Sequence, residues 1–182
     1  MVHIDTRFNL VVPVGSLSIY HTPISREVFE ANYLLLASVK SSIASKGIHY
    51  AMDSGPRIAS LVLRDAADDK GQAFCSELKR LSTVLVPTEN GWDKLPVDLA
   101  IKSGKLDLSD WQEVESMIVF FTCYFSMARK AEREELVRAI SSLFGWSTTP
   151  LNLSEWIDSL PSLIQPQNTQ PPLSETSSTI AI

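Results

Sequence analysis

The chain has 182 residues, 45% of them hydrophobic and 20% charged, a balance typical of one packed globular domain. Its 16 basic and 21 acidic residues give a formal charge of −5, so no general attraction to nucleic acid or to anionic lipid is expected. The N-terminus lacks a basic segment followed by an apolar core, which predicts a cytosolic protein without a secretory signal peptide.

A β-hairpin is predicted at the N-terminus. Apolar residues of one parity mark its first strand: Phe8, Leu10, Val12 and Val14. The alternation resumes at Leu17 after Gly15-Ser16, which has the length of a tight hairpin loop. Pro13 has no amide hydrogen to donate, so the first strand should lie at a sheet edge or end early. Isolated hairpins are marginal in water, and this one is therefore expected to pack on helices.

Three helices are predicted next. The first runs from Thr22-Pro23 to Gly47, because apolar residues recur there at helical spacing. The second begins at Gly55-Pro56, where proline suits a first turn, and ends at Gly71. The third runs from about Gln72 until Pro87 prevents its continuation. A loop with the turn signal Asn90-Gly91 and a short helix around 97–102 should follow.

The central helix is predicted to be the most buried. Ser109 and Gln112 have the spacing of a capping box at its start. Its apolar residues form an i, i+3, i+4 stripe and also occupy other faces, and the stripe consists of Trp111, Val114, Ile118, Phe121 and Phe125. The apolar run from Met117 to Ala128 is too short to span a membrane, which takes ~20 residues.

Two further helices and a tail complete the predicted fold. A mixed-charge stretch, 129–138, passes into a helix that should end at Gly145. Asn152 and Glu155 repeat the capping spacing before a short helix that Pro161 ends. The composition after Gln165 predicts a disordered Pro/Ser/Thr-rich tail over 166–182. The predicted fold is mainly α: a helical domain over 1–165 with a small N-terminal β-hairpin, followed by that tail.

No motif in the sequence indicates an active site. The glycines do not form a P-loop or a dinucleotide-binding turn, and Asp53-Ser54-Gly55-Pro56 fits a helix entry better than a serine elbow. Cys75 and Cys123 lie in apolar helical patterns, so we expect buried, unreactive thiols. The spacing of histidines and cysteines favours neither a metal nor a cofactor. The sequence therefore predicts a protein that is not an enzyme.

Trp146, Trp156 and Leu160 are the candidate partner-binding residues. They lie in short elements near the chain end, and aromatic residues dominate interface energetics. The alternative, which the usual burial of large aromatic residues favours, is that they belong to the core. The charge run Arg129–Glu135 holds both signs, so it indicates an exposed helix supported by ion pairs instead of a phosphate-binding stripe.

Six short phrases, spread over most of the chain, carry a family resemblance: Asn9–Val14, Thr22–Phe29, Gly55–Ile58, Leu81–Pro87, Val119–Thr122 and Leu151–Glu155. In these phrases and their order the chain resembles small phage proteins known as tail assembly chaperones, which are encoded between the tail-tube and tape-measure genes. None of the phrases contains a catalytic signature, and no functional residue transfers by position.

The resemblance implies an assembly factor in the host cytoplasm. It would bind the tape-measure protein, keep it soluble and help the tail-tube protein gather around it, without nucleic acid or membrane as partner. In many such families a ribosomal frameshift adds a second domain, which would make 166–182 a linker in the longer product. The alternatives are another phage head or tail structural protein, or a small enzyme of unrecognised type.

Overall fold

The computed structural model describes residues 1–89 and 91–159, apart from the side chains of residues 48, 49, 52 and 66–68. The elements in chain order are β1 His3–Ile4, β2 Leu10–Val14, β3 Leu17–His21, α1 Arg26–Ala44, α2 Ile48–Arg80, β4 Ser82–Thr88, β5 Gly91–Pro96, α3 Val97–Lys102, α4 Leu108–Phe125, a 3-10 turn Lys130–Glu132, α5 Arg133–Phe144, β6 Ser147–Thr148 and α6 Leu153–Ser159. The protein is mainly helical, as predicted, but its strands form much more than a hairpin.

The described strands form a six-stranded sheet in the order β5-β4-β3-β2-β1-β6, antiparallel except for the β1–β6 pair. The predicted hairpin is confirmed as β2 and β3, with Val14 opposite Leu17 across a two-residue loop in which Gly15 has φ +57°. Strand β1 pairs with β2 only at Leu10 and Val11. Pro13 lies beyond that contact, so its missing amide hydrogen costs the sheet nothing on that side.

The prediction of a third helix from Gln72 to Pro87 was wrong in its second half. Residues 72–80 belong to α2, and Ser82–Thr88 is strand β4, paired with β3 on one side and β5 on the other. Val84 and Val86 face the helices while Leu85 faces the opposite side. A strand buried on both faces has a continuous apolar run, which resembles a buried helix in sequence.

Helix α2 begins at Ile48, well before the predicted start at Pro56, and continues past the predicted stop at Gly71. It is not straight, however. Eight residues of straight helix span about 12 Å, whereas a Cβ placed on Gly71 would lie 2.5 Å from the carbonyl oxygen of Leu63. The helix path therefore turns sharply between these residues, and the glycine permits the close approach. The predicted stop at Gly71 is therefore wrong, because the helix bends near this residue without ending.

A second glycine sets the packing of α2 against α4. A Cβ on Gly55 would lie 2.6 Å from Cε2 of the Phe120 ring. Phe120 and Phe121 are both buried, and Phe121 stacks on Phe125 with ring centroids 5.1 Å apart. These contacts confirm that α4 is the most buried helix, as its apolar pattern predicted.

The sheet separates two apolar clusters. The large one lies between the sheet and helices α1, α2, α4 and α5, and receives Leu10, Val12, Ile19, Val84 and Val86 from the strands. The small one lies on the outer face, where Trp156 of α6 covers Val11 and Leu85. The alternation along β2 therefore points its predicted apolar residues toward the helices.

Among the remaining predicted helix boundaries, those at Gly145 and Asn152 are confirmed and the one at Ser109 is wrong. Helix α5 ends at Gly145, which has the left-handed conformation. The capping box of Asn152 and Glu155 forms, with each side chain bonded to the other residue's backbone amide at 3.1 and 2.9 Å. The box at Ser109 and Gln112 does not form, because the residue before the helix is Asp107, two residues earlier than predicted.

Three predictions concern residues outside the described ranges: the turn residue Asn90, the candidate Leu160, and the disordered tail over 166–182 with the domain boundary at 165. No helix in the described part of the chain is both long enough and apolar enough to cross a membrane.

Candidate protein-binding surfaces

A buried charge pair joins α2 to α4. The Arg64 guanidinium donates to Oε2 of Glu115, which is only 3% exposed. Burial raises the pKa of Glu115, and the positive charge of Arg64 opposes that rise. The hydroxyls of Ser60 and Ser116, 2.6 Å apart, form a second polar contact between the same helices. Because breaking either contact leaves a buried polar group without a partner, together they fix how the two helices align.

Both thiols are buried and unpaired, as predicted. Burial raises the pKa of Cys75 to about 11 and that of Cys123 to about 12. At neutral pH both are protonated, whereas the thiolate is the nucleophilic and metal-binding form. Among the side chains that the structure describes, no three of His, Cys, Asp or Glu are grouped so as to hold a metal ion.

His21 and Ser82 form a buried pair where β3 and β4 meet. Nδ1 of His21 lies 2.9 Å from Oγ of Ser82, and that hydroxyl donates to the Leu78 carbonyl oxygen at 2.8 Å. The hydroxyl proton is thus already placed, so Ser82 accepts a hydrogen bond from Nδ1–H. Burial lowers the pKa of His21 to about 3, which keeps the ring neutral. In this arrangement His21 does not withdraw the proton of Ser82, and the pair ties the strands to the end of α2.

The candidate residues Trp146 and Trp156 lie on opposite sides of the sheet. Trp146 is half-buried beside β6, with its ring centroid 6.3 Å from that of Phe121. Trp156 is 8% exposed and its ring centroid lies 6.2 Å from that of His3. The structure does not bring the two rings together, and both contribute to apolar clusters. These positions fit the core interpretation better than that of two exposed binding residues.

A surface cavity of about 510 Å³ is here called the α5 groove. It is bounded by the β1–β2 connection, α5 and the segment after β6. Its apolar lining is Ile4, Phe8, Val137 and Pro150, and its polar lining is Asp5, Thr6, Glu134, Arg138, Thr148 and Thr149. A volume of this size is typical of sites that bind a few side chains or a small ligand.

The wall of the α5 groove is held in place by Asp5. Its Oδ1 accepts hydrogen bonds from the backbone amides of Arg7 and Asn9 at 2.8 and 2.9 Å, and its Oδ2 accepts one from Nδ2 of Asn9 at 2.7 Å. These bonds close a turn in which Phe8 has φ +64°, an uncommon conformation for a bulky residue. The Phe8 ring packs on Phe125, 4.9 Å between centroids. Contacts within the protein therefore fix this wall of the groove without a bound ligand.

A second surface, here called the α1 face, consists of Ala31, Leu34, Ser38, Ser41 and Ser45 on the solvent side of α1. Leu34 is 69% exposed, and Tyr33 beside it is 51% exposed. Lys40 is the single charged residue from 31 to 45, and its Nζ lies 5.0 Å from the Tyr124 ring centroid, against α4. The helix itself is uncharged from residue 31 to residue 39, but Lys70 of α2 lines a cavity of about 300 Å³ together with Leu34.

Neither surface was predicted from the sequence. The signal for the α1 face was present, because a helix surface exposed only to water normally carries charged residues. The α5 groove had no local signal, since residues 4–8 meet residues 134–150 only through the tertiary fold.

Comparison of the chain with protein-family models, with curated proteins and with solved structures gave no match. The resemblance to phage tail assembly chaperones therefore remains a prediction from the sequence phrases.

Proposed function

We propose that this protein is a non-enzymatic assembly factor that binds an apolar segment of another protein in the α5 groove. The observation that carries the proposal is the groove itself, with its apolar floor and the Phe8 turn that Asp5 fixes. The resemblance in the sequence phrases supports a specific client, the tape-measure protein of a phage. Such a client exposes apolar helical faces before the tail tube covers them, and a groove of this kind would shield a few of their side chains.

The charges around the groove support a mainly hydrophobic interaction. Its charged lining residues are Asp5, Glu134 and Arg138, which together carry one net negative charge. The Asp5 carboxylate already accepts three hydrogen bonds from Arg7 and Asn9, so little attraction to a charged segment is left. Binding should therefore weaken little between low and moderate salt, where charges are screened over ~8 to 10 Å. A steep salt dependence would instead assign binding to the charged residues of 129–133, outside the groove.

Co-expression of tape-measure segments with the full chain, followed by pull-down and measurement of soluble client, tests the proposal. Thr148 is exposed and lines the groove, so Thr148→Trp should fill it and reduce client recovery. Thr22→Trp adds the same ring at an exposed position that does not line the groove, and should leave recovery unchanged.

Three results would be informative. If no segment is retained or solubilised, with a frameshifted longer product also supplied, the chaperone proposal fails. If segments bind the parent and Thr148→Trp equally well, the function stands but the groove is not its site. Loss of binding in Thr148→Trp alone supports both.

A further inference from the structure

One edge of the sheet lies at the α5 groove. Among the described strands, β6 ends the sheet, and its Thr148 lines the groove. The Ser147 amide donates to the Val2 carbonyl oxygen at 2.9 Å, and the Thr149 amide donates to that of Ile4 at 2.8 Å. Because the backbone groups of successive strand residues point to opposite edges, the amide hydrogen and the carbonyl oxygen of Thr148 point away from β1. Thr148 therefore presents one backbone donor and one backbone acceptor beside the groove.

We infer that an extended segment of the bound protein adds a strand to β6, antiparallel to it, with one central residue exchanging both backbone hydrogen bonds with Thr148. This inference rests on the proposed function of the α5 groove and specifies the backbone conformation of the client there. Ile4 lies opposite Thr148 and points to the helix side of the sheet, so the Thr148 side chain does too. The central residue also points to that side, toward the groove lining of Ile4 and Val137. An apolar, β-branched side chain suits this position best.

The charges on α5 specify a second position of the segment. Only Gly145 and Trp146 separate α5 from β6, so the helix runs back along the strand, and Glu134 lies one turn further from this connection than Arg138. Four helix residues rise about 6 Å, close to the ~6.8 Å between alternate residues of a strand. A basic side chain two residues before the central one therefore comes near Glu134. This exposed pair should add little affinity, but it favours the antiparallel direction.

The opposite edge of the described sheet is protected against strand addition, and β6 is not. The central residues of β5 are Asp93 and Lys94, both exposed, and charged residues on an edge strand hinder pairing with another chain. Residues 145–154, around β6, carry no charge. Pro150 has no amide hydrogen to donate, which confines the pairing to Thr148 and its near neighbours. The added strand is therefore short, and the groove supplies the remaining contacts.

A random dodecapeptide library, selected on the full chain and depleted against Thr148→Trp, provides the probe. The selected peptides should carry a lysine or arginine two residues before a valine, isoleucine or threonine. Thr148→Pro removes the outward amide hydrogen and should raise the Kd of a selected peptide about tenfold, as the loss of one hydrogen bond implies. Thr148→Val keeps that amide, so it is the matched control and should leave the Kd unchanged. Circular dichroism of both variants should match the parent, since an edge strand tolerates proline.

Backbone N-methylation of the peptide tests the added strand without changing the protein. Methylating the amide that donates to the Thr148 carbonyl oxygen should raise the Kd at least about tenfold, whereas methylating the next amide, which points away from β6, should leave it unchanged. Equal losses at both amides would indicate a helical peptide and overturn the inference. Binding that neither Thr148→Pro nor N-methylation weakens would also overturn it, as would a library without any peptide that distinguishes the parent from Thr148→Trp.

Two further outcomes separate this inference from its alternatives. A parent dimer in sedimentation velocity that Thr148→Pro dissociates would assign the β6 edge to a second copy of the chain, and would overturn the inference. Failure of the proposed function has a different signature, because the parent then retains no client segment in the co-expression experiment, whatever peptides the library yields. A client segment that the parent retains and Thr148→Trp does not, but that binds Thr148→Pro fully, would leave the proposed function standing and remove the added strand.

Discussion

The two faces of the sheet are covered very differently. On one face, α1, α2, α4 and α5 build the large apolar cluster around α4. On the other, Trp156 of the seven-residue helix α6 covers Val11 and Leu85, which are nevertheless 1% and 0% exposed. The short helix α6 thus completes the burial of central strands. The two faces should respond differently to mutation, since one cluster is extensive and the other has only three fully buried members, of which Trp156 is the largest.

The largest effect should come from emptying the centre of the large cluster. Phe121 is 1% exposed and stacks on Phe125. Phe121→Ala should lower the free energy of unfolding by ~3 to 5 kcal/mol, because buried aromatic residues leave a cavity when truncated. Urea unfolding followed by circular dichroism measures this loss.

Trp156→Ala is the matched change in the small cluster and should cost about 3 kcal/mol, at the lower end of the same range. The Trp156 variant should keep the helical signal of the parent under native conditions, because the large cluster does not depend on α6. If Trp156→Ala destabilised the protein as much as Phe121→Ala and removed the helical signal, the two faces would form a single cooperative core.

An intermediate effect on stability is expected from protonation of His21, which is buried where β3 and β4 meet. Its pKa is about 3 in the folded protein, against the ordinary value of 6.5. As the pH falls, His21 therefore binds a proton in the unfolded chain before it does so in the folded protein. Its contribution to the free energy of unfolding is full above pH 6.5 and is lost as the pH falls from 6.5 toward 3. By about pH 5 the loss should reach about 2 kcal/mol, since one pKa unit corresponds to about 1.4 kcal/mol.

The measurement is urea unfolding of the parent and of His21→Gln between neutral pH and about pH 5. Glutamine does not titrate, so the difference in stability between the two proteins should narrow by about 2 kcal/mol as the pH falls. The carboxylates titrate in both proteins and cancel in this difference. Parallel stability curves would show that His21 does not bind a proton on unfolding.

The local parts of this fold could be predicted from the sequence, and the non-local parts could not. The β2–β3 hairpin, helix α1, the end of α5 at Gly145 and the cap of α6 depend on residues that are neighbours in the chain, and all were predicted. Strand β4 was missed because its partner β3 lies far away in sequence, with Ser18 opposite Leu85. Its spacing of apolar residues from Leu78 to Leu85 also fits a helix, and sequence pattern alone does not separate the two.

The candidate surfaces follow the same rule. The α5 groove joins residues 4–8 to residues 134–150, which the parallel β1–β6 pair and the large apolar cluster bring together. The α1 face lies within one helix and could have been predicted from the lack of charged residues between 31 and 39. Trp146 and Trp156 were named as candidate binding residues instead. Aromatic residues are frequent both in interfaces and in cores, and composition does not distinguish the two.

The smallest predicted effect is on the cap that begins α6. Oδ1 of Asn152 accepts a hydrogen bond from the backbone amide of Glu155, and the backbone amide of Asn152 donates one to the Glu155 carboxylate. Asn152→Ala removes the first of these bonds and should cost about 1 kcal/mol. Because α6 touches the rest of the protein mainly through the small cluster, the loss should be local. Hydrogen exchange should speed up about fivefold at the α6 amides, as about 1 kcal/mol implies, and stay unchanged in α4. Equal acceleration in both helices would mean that α6 opens only when the whole protein unfolds. The two apolar clusters would then differ in size but would not unfold independently.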